Sequence, residues 1–285
     1  MEINIGGRLW SAGPERPRVM GIVNATPDSF FEGSRRQSET EIARAAEQAL
    51  RDGADMLDVG GYSSRPGADD VPETEELARL DRALRAVREA VGPDFPLSVD
   101  TFRSGVVRRL YDRYGAFVVN DISAGGLDPQ MLRTVGELRL PYIAMHMRGT
   151  PQTMASQTDY PAEGGGVVGD VLRYFVRKVA QCREAGIVDL ILDPGFGFAK
   201  SVAQNFELLR RMNELSVFGL PILAGLSRKS LIWRTLGTTP AEALNGTSVL
   251  NVEALRQGAA ILRVHDVREA VETVRLVRVC SGYAE

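Results

Sequence analysis

The stretch Val19–Gly33, VMGIVNATPDSFFEG, decides how the rest of the chain is read. Val19, Met20, Ile22 and Val23 form an apolar, largely β-branched run, the pattern of a strand buried on both faces. The run stops at Asn24. Thr26-Pro27-Asp28-Ser29 is then a turn-forming cluster ahead of Phe30, Phe31 and Gly33. Two readings fit the stretch taken alone. One is an ordinary strand-to-helix connection with an Asx-type turn; the other is a site floor at Asn24 followed by a lid, Thr26–Gly33, whose order depends on ligand.

Working outward, the same unit recurs along the chain. Asp55–Val59, Leu97–Val99, Phe117–Val119, Tyr142–Met145, Leu190–Leu192, Ile222–Ala224 and Ala260–Leu262 are short apolar runs that end in polar or Gly-rich residues. Helical spacing follows each: Ile42 to Gly53, Thr74–Val91, Arg103–Tyr114, around Pro129–Leu138, Val167–Ala185, Ser201 to Leu215, Ala241–Gln257 and Val267–Val279. Ser38-x-x-Glu41, Ser201-x-x-Gln204 and Asp266-x-x-Glu269 read as helix starts. Alternating strands and helices imply a parallel sheet. Eight units without a linker or a break in composition predict one α/β domain over 1–285, a (β/α)8 TIM barrel. The competitor, a doubly wound sheet, needs a Gly-rich turn after its first strand, and Asn24-Ala25-Thr26-Pro27 is not one. Gly6-Gly7 between Ile3–Ile5 and Arg8–Trp10 marks a short N-terminal β-hairpin, placed to plug the bottom of the barrel.

Bulk properties narrow the function. The 285 residues are 44% hydrophobic and 25% charged, the balance of a globular protein with a substantial core. A net charge of −3 gives no basic footprint for nucleic acid. The pairs Arg35-Arg36, Arg108-Arg109 and Arg210-Arg211 read as solvated helix faces. No apolar run is long enough to span a bilayer. The N-terminus lacks a signal-peptide pattern, and Cys182 and Cys280 form no CxxC spacing. The expectation is a cytoplasmic protein with reduced thiols, acting on small molecules, with no nucleic-acid or membrane partner.

In a TIM barrel the C-terminal strand ends form the active face. Here those ends carry Asn24, Asp58, Arg65, Asp100, Asn120, Asp121, His146, Asp193, Lys229, Arg263 and His265. Each alone reads as readily as a satisfied structural group, but charges converging on one mouth need partners or a ligand. Asp100, Asn120 and Asp193 supply acceptors and an amide for an amidine-like N–H pair, such as a guanine or pterin edge. Asn24, Arg65, Arg263 and His265, with Ser227-Arg228, form a second, cationic half. Loops after strands seven and eight commonly hold phosphate, and an oxygen donor such as Asn24 suits Mg²⁺. Two histidines outside HExxH or HxH spacing argue against zinc, and no nucleophile elbow is present. Lys229 has a Schiff-base alternative, disfavoured by its place beside Arg228 rather than within an apolar strand.

Eight segments, MGIVNATPDSFFEGS, DVGGYSSRPGA, LSVDTF, VNDISAG, MHMRGTPQTM, DPGFGFAK, GLSRKS and RVHDV, resemble in content and order those of the dihydropteroate synthase family. That family serves the folate pathway and is inhibited by sulfonamides. The resemblance implies a TIM barrel, usually a homodimer, that joins 4-aminobenzoate to 6-hydroxymethyl-7,8-dihydropterin diphosphate and releases diphosphate, with Mg²⁺. By position it implies a pterin pocket of Asp100, Asn120, Met145, Asp193 and Lys229. It implies a diphosphate site of Asn24, Arg65, Arg263 and His265, with Asn24 as metal ligand, and an aminobenzoate side of Phe30, Ser64, Arg65, Pro66, Phe198 and Ser230. Asn24, Lys229, Arg263 and His265 are then the expected catalytic residues. Two other readings keep a pterin site: a methyltransferase barrel and a non-catalytic paralogue. The chain departs from the family pattern at Tyr62-Ser63-Ser64, where Glu-Ser-Thr is usual, at Glu32, usually Asp, and at Ala199, usually Gly. The last matters only if that backbone needs positive φ.

Overall fold

The computed structural model describes residues 1–25, 32–62 and 71–283, the side chains of 32–38 excepted. Phe30, Ser64, Arg65 and Pro66, and the expected lid up to residue 31, lie outside them.

Eight parallel strands form one sheet: β3 (Arg18–Asn24), β4 (Met56–Gly60), β5 (Leu97–Asp100), β6 (Val118–Asp121), β7 (Tyr142–Met145), β8 (Leu190–Asp193), β9 (Leu223–Ala224) and β10 (Ile261–Val264). Their order is β8-β7-β6-β5-β4-β3-β10-β9, and a parallel bridge between Leu192 and Ile222 brings the two ends together into a barrel. Between the strands run α1 (Glu32–Arg51), α2 (Glu73–Val91), α3 (Ser104–Tyr114), α4 (Met131–Glu137), α5 (Gly166–Glu184), α6 (Val202–Arg210), α7 (Ser230–Leu236) and α8 (Leu244–Arg256); α9 (Val267–Cys280) follows the last strand. The expected (β/α)8 barrel is therefore the fold.

Side chains alternate across each strand, so each strand feeds two compartments. Leu57, Val59, Val99, Val119, Ala144 and Leu192 face outward into the main core, against helix residues such as Leu80, Leu84, Val106, Val171 and Leu208. Met20, Met56, Val118, Ile143, Ile191, Leu223 and Ile261 face inward and form a separate apolar layer near the N-terminal ends. The hairpin of β1 (Glu2–Ile5) and β2 (Arg8–Ser11) packs Ile3 and Trp10 against that layer and plugs the barrel. Gly6 takes φ +60 in its turn, where an added Cβ would stand 2.9 Å from Ala116 Cβ, so glycine is required there.

Helix boundaries differ from expectation at four places. Ser38 lies inside α1 rather than at its start, because the good helix formers Arg35, Arg36 and Gln37 extend the helix back to Glu32. The Ser201/Gln204 capping box forms in both halves, yet α6 ends at Arg210 and a 3₁₀ segment carries on over Met212–Phe218. A short helix, α7, stands between the SRKS loop and α8, closed by Gly237 at φ 66; seven residues are too few to leave a periodic signature. Asp266 precedes α9 without capping it, since Arg228 occupies its carboxylate. No helix among the described residues is long and apolar enough to cross a membrane.

Candidate active site

Two residues beyond the apolar layer, the same inward alternation delivers polar side chains. Met56 is followed by Asp58, Val118 by Asn120, Ile143 by Met145, Ile191 by Asp193 and Ile261 by Arg263. Asp100 follows Ser98 on β5 in the same way. The barrel interior thus changes from plug to site within one strand repeat.

Arg263 ties this layer together. Its Nε donates to Asp58 Oδ2 at 2.6 Å and its Nη2 to Asp100 Oδ2 at 2.9 Å. Asn120 Nδ2 donates to the same Asp58 oxygen at 3.1 Å, which leaves the Asn120 carbonyl oxygen as an acceptor. Asp58 is fully buried, and its Oδ1 has no hydrogen-bond partner among the described residues. Burial pushes the Asp100 carboxyl up to about 7; Arg263 opposes this, while Asp58, Glu76 and Asp121 add to it. Asp100 still keeps a fifth of its side-chain surface exposed, so it faces the mouth. Two carboxylates on one guanidinium leave a pocket rich in acceptors.

Across the barrel, Asp193 Oδ1 accepts from the Gly195 N–H at 2.7 Å. Burial raises its carboxyl and Lys229 pulls it back. Lys229 donates to the Phe196 carbonyl at 2.5 Å and stands 5.0 Å from the centre of the Phe198 ring. Burial lowers its ammonium to about 8, with Asp193 opposing. Met145 is 3% exposed and packs with Ile122, Met147, Met154 and Ala199 against Phe198 and Phe102, an apolar wall beside the acceptors. Ser230, half-buried, opens α7 next to Lys229.

At the rim, Asn24 ends β3, exposed, its side chain making no hydrogen bond among the described residues. His265 is exposed on the neighbouring β10 end. Ser227 Oγ accepts from the His265 N–H at 3.2 Å and lies 3.0 Å from His265 Nδ1. Which of the two donates in the second contact follows from the ring tautomer, since the hydroxyl oxygen has a lone pair to spare.

Three strand-end residues serve the scaffold instead. Asp121, one residue past Asn120, points outward and accepts from Ser123 N–H, Ser123 Oγ, Gly125 N–H and Tyr142 Oη at 2.6 to 2.7 Å. Arg228 does not join the cationic half of the site. At φ 54 its side chain turns away to clasp Asp266 at 2.9 and 2.8 Å and to donate to the Pro240 and Ala241 carbonyls. His146 is fully buried, and burial together with Lys200 lowers it to about 3, so its ring is neutral.

The sequence placed Asp58 among the strand-end residues of the mouth without a specific role, and gave none to Lys200 or Asp170. Asp58 carried one available signal, its place in the inward phase two residues after Met56. Lys200 sits before a helix cap and Asp170 lies 24 residues from His146 within α5, so spacing says nothing of their meeting. Of the departures, Ala199 does adopt φ 50, a position glycine fills more cheaply, and Tyr160 Oη holds its carbonyl at 2.8 Å. Tyr62 packs edge-on to Phe102 at 5.0 Å, and its hydroxyl accepts from Gln152 Nε2 at 3.1 Å.

Residues 20–265 match the family model described as pterin binding enzyme. The dihydropteroate synthase of Escherichia coli K12 is 42% identical over 263 residues, 92% of this chain and 90% of that protein. Dihydropteroate synthase of Xanthomonas albilineans, solved with 4-aminobenzoic acid, superposes with a TM-score of 0.88 at 37% identity, covering 99% of each chain. The Yersinia pestis dihydropteroate synthase, solved as a sulfonamide drug complex, gives 0.89 at 37% identity over 99% of this chain and all of that one. With the inner layer of acceptors, the lysine opposite and the barrel that carries them all inside the matched span, the chain belongs to the pterin binding enzyme family.

Proposed function

We infer that the protein is a dihydropteroate synthase, a transferase of folate biosynthesis that condenses 6-hydroxymethyl-7,8-dihydropterin diphosphate with 4-aminobenzoate and releases diphosphate. The observation that carries the reading is the inner layer: acceptors on Asp100, Asn120 and Asp193, from three strands, with the donor Lys229 opposite. A dihydropterin presents donors at its 2-amino group, N3 and N8 and an acceptor at its 4-oxo group, the complement of that set. In this reading Asp193 takes the 2-amino and N3–H pair, Asp100 and Asn120 take the opposite ring nitrogens, Lys229 meets the 4-oxo group and Met145 packs the ring. Phe198 and Ser230 flank the aminobenzoate side, where Phe30, Ser64, Arg65 and Pro66 are proposed to join them.

Chemistry then needs the diphosphate to leave and the aryl amine to enter. The electron-rich dihydropterin carries the positive charge that develops on its methylene as the C–O bond breaks. Nη1 of Arg263 makes no hydrogen bond among the described residues and can donate to the leaving group, with His265 beside it on the same strand end. The aryl amine is neutral at pH 7, so it attacks through its lone pair without a strong general base, and the proton of the resulting ammonium passes to water. Mg²⁺ fits the rim by donor chemistry: Asn24 offers a hard amide oxygen, and an ion held by phosphate oxygens and water needs only one or two protein donors. When bound it would neutralise charge on the diphosphate.

A homodimer is proposed as the assembly, supported by Leu236 and Val249, exposed on the adjoining helices α7 and α8. A cytoplasmic setting is likewise proposed, supported by the two free cysteines. Incubation with the dihydropterin diphosphate, 4-aminobenzoate and Mg²⁺ is expected to yield dihydropteroate. Absence of product, or unchanged pterin affinity by calorimetry after Asp193→Ala or Lys229→Ala, overturns the reading.

A further inference from the structure

Lys200 is 8% exposed and lies beneath the site, behind the loop that follows β8. A buried ammonium is costly unless each proton finds an acceptor. Here all three do: His146 Nδ1 at 2.9 Å, the Gly195 carbonyl at 2.9 Å and the Phe198 carbonyl at 3.0 Å. Since His146 Nδ1 accepts, its Nε2 carries the proton and donates to Asp170 Oδ2 at 3.3 Å. Burial pushes Asp170 up, but hydrogen bonds from His146 and Arg148 outweigh it and hold the carboxyl well below the usual range. Arg148 closes the line with a 2.6 Å contact to Asp170 Oδ1. The segment after β7, through His146 and Arg148, and helix α5, through Asp170, are thereby locked to one loop.

That loop carries the site. Its Gly195 N–H fixes Asp193, its Phe196 carbonyl receives Lys229, and its Phe198 ring lies against the Lys229 ammonium. Gly195 takes φ +70, and a Cβ there would fall 2.0 Å from the His146 carbonyl, so the loop rests directly on the His146 backbone. Lys229 grips the loop from the mouth and Lys200 grips it from beneath, through carbonyls on either side. We propose that Lys200, braced by His146 and Asp170, is a positioning residue that sets Phe198 and Lys229 for the entry of 4-aminobenzoate. The inference rests on the function proposed above.

Protonation gives it a signature. A neutral lysine has two N–H groups for three acceptors, so one loop carbonyl loses its donor. Burial lowers Lys200 to about 7; Lys229 and Arg148 add to the lowering, Asp193 and Asp170 oppose it, and His146 faces it as a neutral ring. Since 4-aminobenzoate keeps one charge from pH 6 to 9, its KM reports the loop across that range.

The test is steady-state kinetics of the full chain with saturating dihydropterin diphosphate and Mg²⁺, beside calorimetry with 6-hydroxymethyl-7,8-dihydropterin. Product from the wild type checks the function itself, independently of Lys200. For Lys200→Met, KM for 4-aminobenzoate is expected to rise about tenfold or more, the scale of a small misplacement of a reacting group, with pterin affinity changed by less than about threefold. Lys200→Arg, whose charge does not titrate, is expected to lose the wild-type rise in KM above pH 7. Asp170→Asn, at the outer end of the line, shifts KM in the same direction by less and carries the test if Lys200→Met does not fold. Equal losses for both substrates, no change in KM, or a limb at pH 7 left undiminished in Lys200→Arg overturns the proposal; a limb left only near pH 8, where Lys229 titrates, supports it.

Discussion

Asp58→Asn separates charge from shape at the centre of the site. Asp58 and Asp100 share Arg263 Nη2 at 2.6 and 2.9 Å, so their Oδ2 atoms lie within about 5.5 Å of each other. At that distance and an effective dielectric of ~20, two unit charges repel by about 3 kcal/mol, or roughly two pKa units. Asp100 is a fifth exposed, which screens part of this and leaves its midpoint displaced by about one pH unit. The variant removes the Asp58 charge and leaves Arg263 to Asp100 alone; both changes lower the Asp100 carboxyl from its value of about 7. A pterin N–H needs the ionised carboxylate, so wild-type affinity falls as pH drops below 7, by up to about tenfold per unit. In Asp58→Asn the fall begins about one unit lower. The asparagine amide replaces an Oδ1 that has no partner among the described residues, costing roughly 1–3 kcal/mol of stability, within what a folded domain tolerates. Calorimetry from pH 5 to 9 should use 6-hydroxymethyl-7,8-dihydropterin, because a terminal phosphate titrates near pH 6. A midpoint that stays put or moves up refutes the coupling of these carboxylates through Arg263.

Three further outcomes test the frame around the site. Trp10→Ala removes the hairpin's plug and is expected to destabilise the chain by about 3–5 kcal/mol in urea, with kcat preserved at low temperature because the plug lies at the far end of the barrel. A loss below 1 kcal/mol would count against the plug. Arg228→Lys keeps charge but loses the two-pronged clasp on Asp266 and the carbonyl contacts, and should cost roughly 1–3 kcal/mol; full stability in the lysine variant would show that charge alone suffices. Ellman's reagent should label exposed Cys280 quickly and buried Cys182, pushed up to about 12 by burial, only on unfolding. Two fast thiols in the native protein would contradict that packing.

The barrel was legible because a strand buried on both faces and a helix with one apolar stripe leave different periods in the sequence. The site was legible to the extent that polar residues end those strands. What the pattern left open is which of two adjacent polar residues turns inward. Asn120 and Asp121 differ only in phase, and one faces the mouth while the other binds Ser123 and Tyr142. Arg228 and Lys229 are separated by a left-handed backbone at Arg228, which no composition rule announces. Asp266 matched a capping pattern yet serves Arg228, since a bidentate ion pair outcompetes one backbone N–H. Lys200 was illegible for a different reason: a lysine beside a helix start reads as solvent-facing, and only the three acceptors converging on it make burial tolerable.

Charge balance within the mouth also orients the substrate. Among the described residues, the carboxylates Asp58, Asp100 and Asp193 face the cations Arg263 and Lys229, a surplus of one negative charge in a buried setting once Asp100 is ionised. A ligand edge rich in N–H donors relieves that surplus without proton uptake. A diphosphate pushed to the same depth would meet carboxylates instead, each repelling a phosphate charge by about 3 kcal/mol at ~5 Å and an effective dielectric of ~20. Asn24 and His265, on neighbouring strand ends at the rim, carry no negative charge and present an amide and an imidazole. Under the function proposed above, the pterin therefore enters ring first and leaves its diphosphate outward. On the same reading, that orientation sets the scissile methylene between the inner acceptors and the rim, on the side of Phe198 and Ser230.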